Sequence, residues 1–218
     1  CMPWDRHWAV THQQTKFDGS GWFYCRNFMI GSRAPKLVGI WAEFDDVSGT
    51  ITLRHQDCGE ITFNPDQDDA AFLAWVAPLC PADRAAPKAI VKAEGRGMTD
   101  SEIPSVSVTN RSSHEAVESA IGHPLEMERW RANIWLDGID AWDELSWIGK
   151  KIRIGEAELE VREPIVRCLA TATNPVTGVR DVDTLGALNN TFGHQHFGVY
   201  AVVTKDGHVA LGDQAQVL

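Results

Sequence analysis

Residues 129–137, RWRANIWLD, carry the most regular alternation in the chain. Successive side chains of an extended backbone point to opposite faces. Trp130, Ala132, Ile134 and Leu136 therefore share one face, and Arg131, Asn133, Trp135 and Asp137 share the other. The first face suits a core and the second is polar. On the polar face a guanidinium fork and an amide, two residues apart, offer donors and an acceptor suited to an anionic heterocycle. A merely solvated strand face is the alternative. On either reading, replacing Arg131 or Asn133 is expected to cost the fold no more than about 0.5 kcal/mol.

The pattern continues on both sides of this stretch. SVSVT, KIRIG, AELEVREPIV, CLATAT, FGVYAVVT and HVALGDQAQVL read as further strands, the last two joined by a hairpin turn at KDG. Ser112 and Glu115 form a capping box for one helix, and Asp181 and Asp183 precede a short one at DVDTLGALNN. In the first half, HWAV, KLVGIWAEF, GTITLRH and GEITF alternate with turns rich in Asp, Ser and Gly. Within residues 66–79, Phe72, Trp75, Val76 and Leu79 recur at helical spacing behind three aspartates. Residues 80–104, rich in Pro, Gly and charge, read as a linker or an excursion, and EGRG within them is too short to mark a phosphate loop. The expected class is mainly β with a few helices, α+β, built as barrels or packed sheets.

With 218 residues, 44% of them hydrophobic, the chain can bury a sizeable core. A net charge of −10 argues against binding nucleic acid, which takes clustered Lys and Arg. No apolar run approaches the roughly 20 residues of a membrane helix, and the amino end lacks the pattern of a signal peptide. The expectation is no membrane association and a cytoplasmic location. Five cysteines at wide spacing fit free thiols better than disulfides, zinc or iron–sulfur clusters. The nine Trp residues are read as core.

Cys168, in PIVRCLATATNPVTG, is the residue that stands out. It can be a buried thiol, a nucleophile or a metal ligand. A cation at Arg167 would favour its thiolate, but strand neighbours point apart, so the two cooperate only at a bulge or a strand end. His194 and His196 form an H-x-H pair with no Asp, Glu or Cys at ligand spacing, which sets a metal site aside.

Residues 131–218 resemble a MOSC domain, the module named for the carboxy-terminal part of molybdenum cofactor sulfurases. RANI with its DG turn, AWDELSWIGKKIRIG, RC, NPVTG, TLGAL, FGVY and GHVALGD match in order and spacing. DRHWAV, SRAPKLVGI and DCGE resemble the β-barrel that precedes MOSC in the mitochondrial amidoxime reducing component and its bacterial relatives. The resemblance implies a MOSC-associated β-barrel region over residues 1–97, lacking its first strand, and a MOSC-type β-barrel over 98–218. It further implies that Cys168 is the catalytic metal ligand of Mo-molybdopterin, with Arg33, Arg131, Asn133 and Arg167 as cofactor contacts. The implied activity is reduction of small N-hydroxylated substrates, with electrons from a separate donor protein because this chain carries no iron–sulfur cluster. A sulfur carrier holding a persulfide on Cys168 is the alternative.

Overall fold

The structure, a computed structural model, describes residues 2–92 and 95–218. They form two compact units. The first comprises Trp4–Glu102 with Ala172–Asp181, and the second Ile103–Thr171 and Val182–Leu218 with Met2 and Pro3. Strands predominate in both, as the turn-punctuated apolar runs lead one to expect.

In the first unit, β1 (Trp8–His12), β2 (Trp41–Asp45), β3 (Thr50–His55) and β4 (Gly59–Phe63) precede α1 (Asp69–Val76) and β5 (Pro87–Lys92). β2, β3 and β4 form an antiparallel meander, and β1 pairs antiparallel with β5. The β5 pairing corrects the linker reading: the Pro- and charge-rich stretch contains a strand, because Ala89, Ile90 and Val91 find ladder partners on β1. Part of the EGRG segment lies outside the described residues. One corner of α1 buries Phe72 and Val76, with Leu79 following, against Leu53 and Phe63 of the meander. This is the face that the helical spacing predicts.

In the second unit, β6 (Ser105–Asn110), α2 (Arg111–Ile121), β7 (Ile134–Leu136), β8 (Lys151–Ile154), β9 (Ala157–Val166), α3 (Thr184–Ala187), β10 (His196–Lys205) and β11 (Ala215–Val217) build one curled six-stranded sheet with flanking helices. Its order is β11-β8-β9-β10-β6-β7, antiparallel except for β6 with β7. Three local expectations change. β11 pairs with β8, not with its predecessor β10, so KDG is not a tight hairpin. The cap of α2 is Asn110, whose side chain accepts from Ser112 N–H at 3.0 Å, not Ser112 itself. The segment read as strand CLATAT is a 3₁₀ turn at Leu169–Ala172.

The sheet's inner surface follows parity along β9 and β10. Leu159, Val161 and Ile165 of β9 and Phe197, Val199 and Ala201 of β10 are all buried, at alternate positions. Gly198 holds φ +77 where the ladder shifts register, and a Cβ there would lie 2.6 Å from Val108 O on β6. Only glycine allows that approach. Below the sheet end, Trp130 and Phe197 stack with ring centroids 3.7 Å apart, packed among Val117, Leu125 and Leu188.

A cysteine beside a buried arginine clamp

β9 ends at Val166, so Arg167 and Cys168 do sit at a strand end. Arg167 N–H still donates to Gln195 O at 2.9 Å, and Gln195 Nε2–H donates back to Arg167 O. One backbone bond and one side-chain bond thus tie the chain just past the strand end, and the inside–outside alternation continues through it. Arg167 follows Ile165 inward and is 9% exposed, while Cys168 follows Val166 outward and is exposed.

The Arg167 guanidinium has a specific task. Nε donates to Phe197 O at 2.9 Å and Nη1 to Trp130 O at 2.7 Å, and the cation lies 5.5 and 5.6 Å from the centres of those same two rings. Charge-assisted bonds and ring faces thus clamp one buried cation. Trp130 is also held from behind. Its indole N–H donates to His114 Nδ1 at 2.9 Å, and His114 Nε2 faces Glu118 Oε1 at 3.3 Å. Because Nδ1 accepts, the neutral ring carries its proton on Nε2. Burial pushes the His114 pKa down, which favours that neutral form.

Arg131 directly follows the clamped Trp130 and is exposed. It adopts φ 48, a left-handed conformation closing the 3₁₀ turn Met127–Trp130. The regular strand over 129–137 is thereby corrected: β7 begins only at Ile134, and Arg131 and Asn133 do not share a strand face. Burial of Trp130 in the stack outweighs the alternation pattern there. Asn133 Oδ1 accepts from Ser107 N–H at 2.9 Å and from its hydroxyl at 2.8 Å, and Asn133 N–H donates to Ser107 Oγ at 2.9 Å. Asn133→Ala is consequently expected to strand the Ser107 N–H and lower stability by about 1–2 kcal/mol in urea unfolding, more than a solvated strand face would. A loss below about 0.5 kcal/mol would show that the Ser107 bonds are replaced by water.

In the second unit the Arg167–Trp130 bond thus joins the segment that carries Arg131 and Asn133 to the one that carries Cys168, whose side chain points away from the clamp. Arg33 belongs to the first unit. There it lines a cavity of about 640 Å³ with Lys16, Arg26, Tyr24 and Glu102. Glu102 accepts from the Tyr24 hydroxyl at 2.6 Å, and among the described residues neither Arg33 nor Lys16 enters an ion pair. No group of three His, Cys, Asp or Glu side chains among the described residues is arranged to hold a metal ion by itself. No helix among them is long and apolar enough to cross a membrane.

Glu144 escapes notice in the sequence. It is fully buried, accepting from Asn110 Nδ2 at 3.0 Å and from the Ser113 hydroxyl at 3.0 Å. Burial raises its pKa. A carboxyl whose folded pKa exceeds its unfolded value holds its proton more tightly in the fold, so its contribution to stability is fully present below the ordinary carboxylate range and is lost as pH rises through the raised value. Glu144→Gln is expected to remove that decline, measured as urea midpoints across the window above the ordinary Glu value. An unchanged slope would assign it to another group.

The MOSC domain family model matches residues 101–216. Molybdenum cofactor sulfurase of Drosophila ananassae is 34% identical over 103 residues, covering 45% of this chain and 13% of that protein. Mitochondrial amidoxime reducing component 2 of Homo sapiens is 32% identical over 101 residues, covering 41% of this chain and 30% of that protein. The chain thus spans only a small part of the length of these relatives. YiiM from Geobacillus stearothermophilus, a solved structure, is similar over 52% of this chain and 53% of its own, with TM-score 0.40 and 18% identity.

Proposed function

The chain belongs to the MOSC domain family, and on that premise we propose that it binds a molybdenum cofactor through Cys168 and reduces N-hydroxylated compounds. The observation that supports this most is the outward turn of Cys168 at a strand end whose inward neighbour, Arg167, is locked in place.

The side chains suit such a group. Cys168 offers a soft thiolate donor open to approach, which matches a metal already held by dithiolene sulfurs. Arg131 offers an exposed guanidinium for the anionic part of the cofactor. Asn133, its oxygen committed to Ser107, fixes the turn that presents Arg131. Arg167 ties the residue before Arg131 to the residue before Cys168, through its own bond to Trp130 O. When bound, the cofactor would supply the two-electron chemistry that breaks the N–O bond. The balance is R–NHOH plus two electrons and two protons giving R–NH2 and water, the electrons coming from a separate donor protein.

Blocking of the thiol tests this reading without any assay of turnover. Loading with molybdenum cofactor is expected to slow alkylation of Cys168 by iodoacetamide at least tenfold relative to cofactor-free protein, followed by peptide mass analysis. Equal alkylation of loaded and cofactor-free protein would exclude a sulfur–metal bond. The same exposed thiol favours one second reading, a carrier holding a persulfide on Cys168, in keeping with relatives named molybdenum cofactor sulfurase.

A further inference from the structure

His194 and His196 take no part in the clamp, yet they stand at the start of β10, which pairs with the end of β9 just before Cys168. His196 pairs with Val166, and Gln195 O accepts from Arg167 N–H, so continuing that register one step carries His194 toward Cys168. His194 packs against Trp142 and Phe192 at the rim of the Phe197 cluster, while Val166 and Cys168 at the end of β9 are exposed. Cross-strand neighbours at one end of a ladder are within reach of the same small ligand.

The two imidazoles are also organised for flat contact. Their centroids are 5.5 Å apart with planes 13° from parallel, and the Phe192 ring continues the run at 6.3 Å and 26° from His194. Trp142 meets His194 edge-on at 4.9 Å and 79°, which limits its rotation. The His196 N–H donates to His194 Nδ1 at 3.3 Å, so the neutral His194 ring carries its hydrogen on Nε2. Val166, 64% exposed, and Leu169, 43% exposed, add apolar surface on the Cys168 side. A metal-binding use has little support, since the pair forms no three-ligand group among the described residues.

We propose that His194 and His196 form the substrate-orienting wall of this site, selecting planar aryl N-hydroxylated compounds over small aliphatic ones. The substrate ring lies along the imidazole run, and the His194 Nε2–H donates a hydrogen bond to the N–O oxygen. This specificity rests on the reductase reading of Cys168. Stacked rings prefer a planar partner, whereas a methyl group gains little from them.

The test compares N-phenylhydroxylamine with N-methylhydroxylamine on cofactor-loaded protein, using dithionite as reductant, for wild type, His194→Ala, His194→Gln and His196→Ala. Calorimetric binding of the phenyl compound to the oxidised protein and molybdenum content are measured alongside. The expected result is a KM and Kd for the phenyl compound about tenfold higher in His194→Ala and several-fold higher in His196→Ala. The methyl compound, which shares the N–O oxygen but has no ring to stack, should lose at least threefold less than the phenyl compound, with molybdenum content unchanged and partial recovery of both compounds in His194→Gln, whose amide restores a donor. Unchanged Kd and KM in both alanine variants, with wild-type molybdenum content, overturn the substrate wall and leave the cofactor reading intact. Equal losses for both compounds overturn the aryl preference. A wild-type protein that takes up no molybdenum overturns the cofactor reading, and the substrate wall with it.

Discussion

Cys168→Ser is expected to leave the melting temperature within about 2 °C of wild type while molybdenum retention and reduction of N-hydroxylated substrate fall to background. The side chain is exposed, so the substitution neither opens a cavity nor buries a hydroxyl, and substitutions at such positions usually stay within about 0.5 kcal/mol. Ser replaces a soft, acidic sulfur by a hard alcohol oxygen of much higher pKa, a poor ligand for a metal in a sulfur environment. A core cysteine would show the opposite pattern, a lower melting temperature with function kept. Melting by calorimetry together with metal analysis after gel filtration separates the two patterns.

Arg167→Ala is expected to have the largest effect on the fold. The guanidinium satisfies two buried carbonyls, Phe197 O and Trp130 O, and lies against both rings of the stack beneath the sheet end. Stranding a buried acceptor costs about 1–3 kcal/mol, so the loss should come to roughly 3 kcal/mol and lower the melting temperature by roughly 6–12 °C. Arg167→Lys is expected to recover less than half of that, because an ammonium cannot reach both carbonyls in the planar fork geometry. Both variants should also raise the alkylation rate of Cys168 by loosening the turn that follows. Full recovery of stability by Lys would mean that charge alone, not the fork, holds Trp130 and Phe197.

The period-two runs around GTITLRH, GEITF and AELEVREPIV made the strands legible, since each buries one face and alternation reports that directly. The helix over 66–79 was legible for the same reason at its own period. RWRANIWLD misled because its alternation is real but is overridden by a long-range partner. Trp130 stacks on Phe197, 67 positions later, and the chain turns left-handed at Arg131 to permit it. β5 was hidden because its partner β1 lies some 80 residues earlier, and local Pro and charge outvote a pairing that no window contains. Cys168 was visible as an unusual residue, whereas its setting was not. That Arg167 turns inward to the Trp130 carbonyl and that His196 pairs beside the strand end that carries Cys168 both depend on the β9–β10 register, which only the folded ladder defines.

The family membership covers residues 101–216, and the clamp, the exposed thiol and the His pair all lie within that span. What distinguishes a cofactor-binding reductase from a sulfur carrier is therefore the occupant of Cys168. Metal analysis of wild-type protein produced in a host that makes molybdenum cofactor, combined with cyanolysis of the same sample, reads that occupant directly. The expected result is close to one molybdenum per chain and no cyanide-releasable sulfur on Cys168. Absence of molybdenum together with a releasable sulfur on Cys168 would contradict the cofactor-binding account.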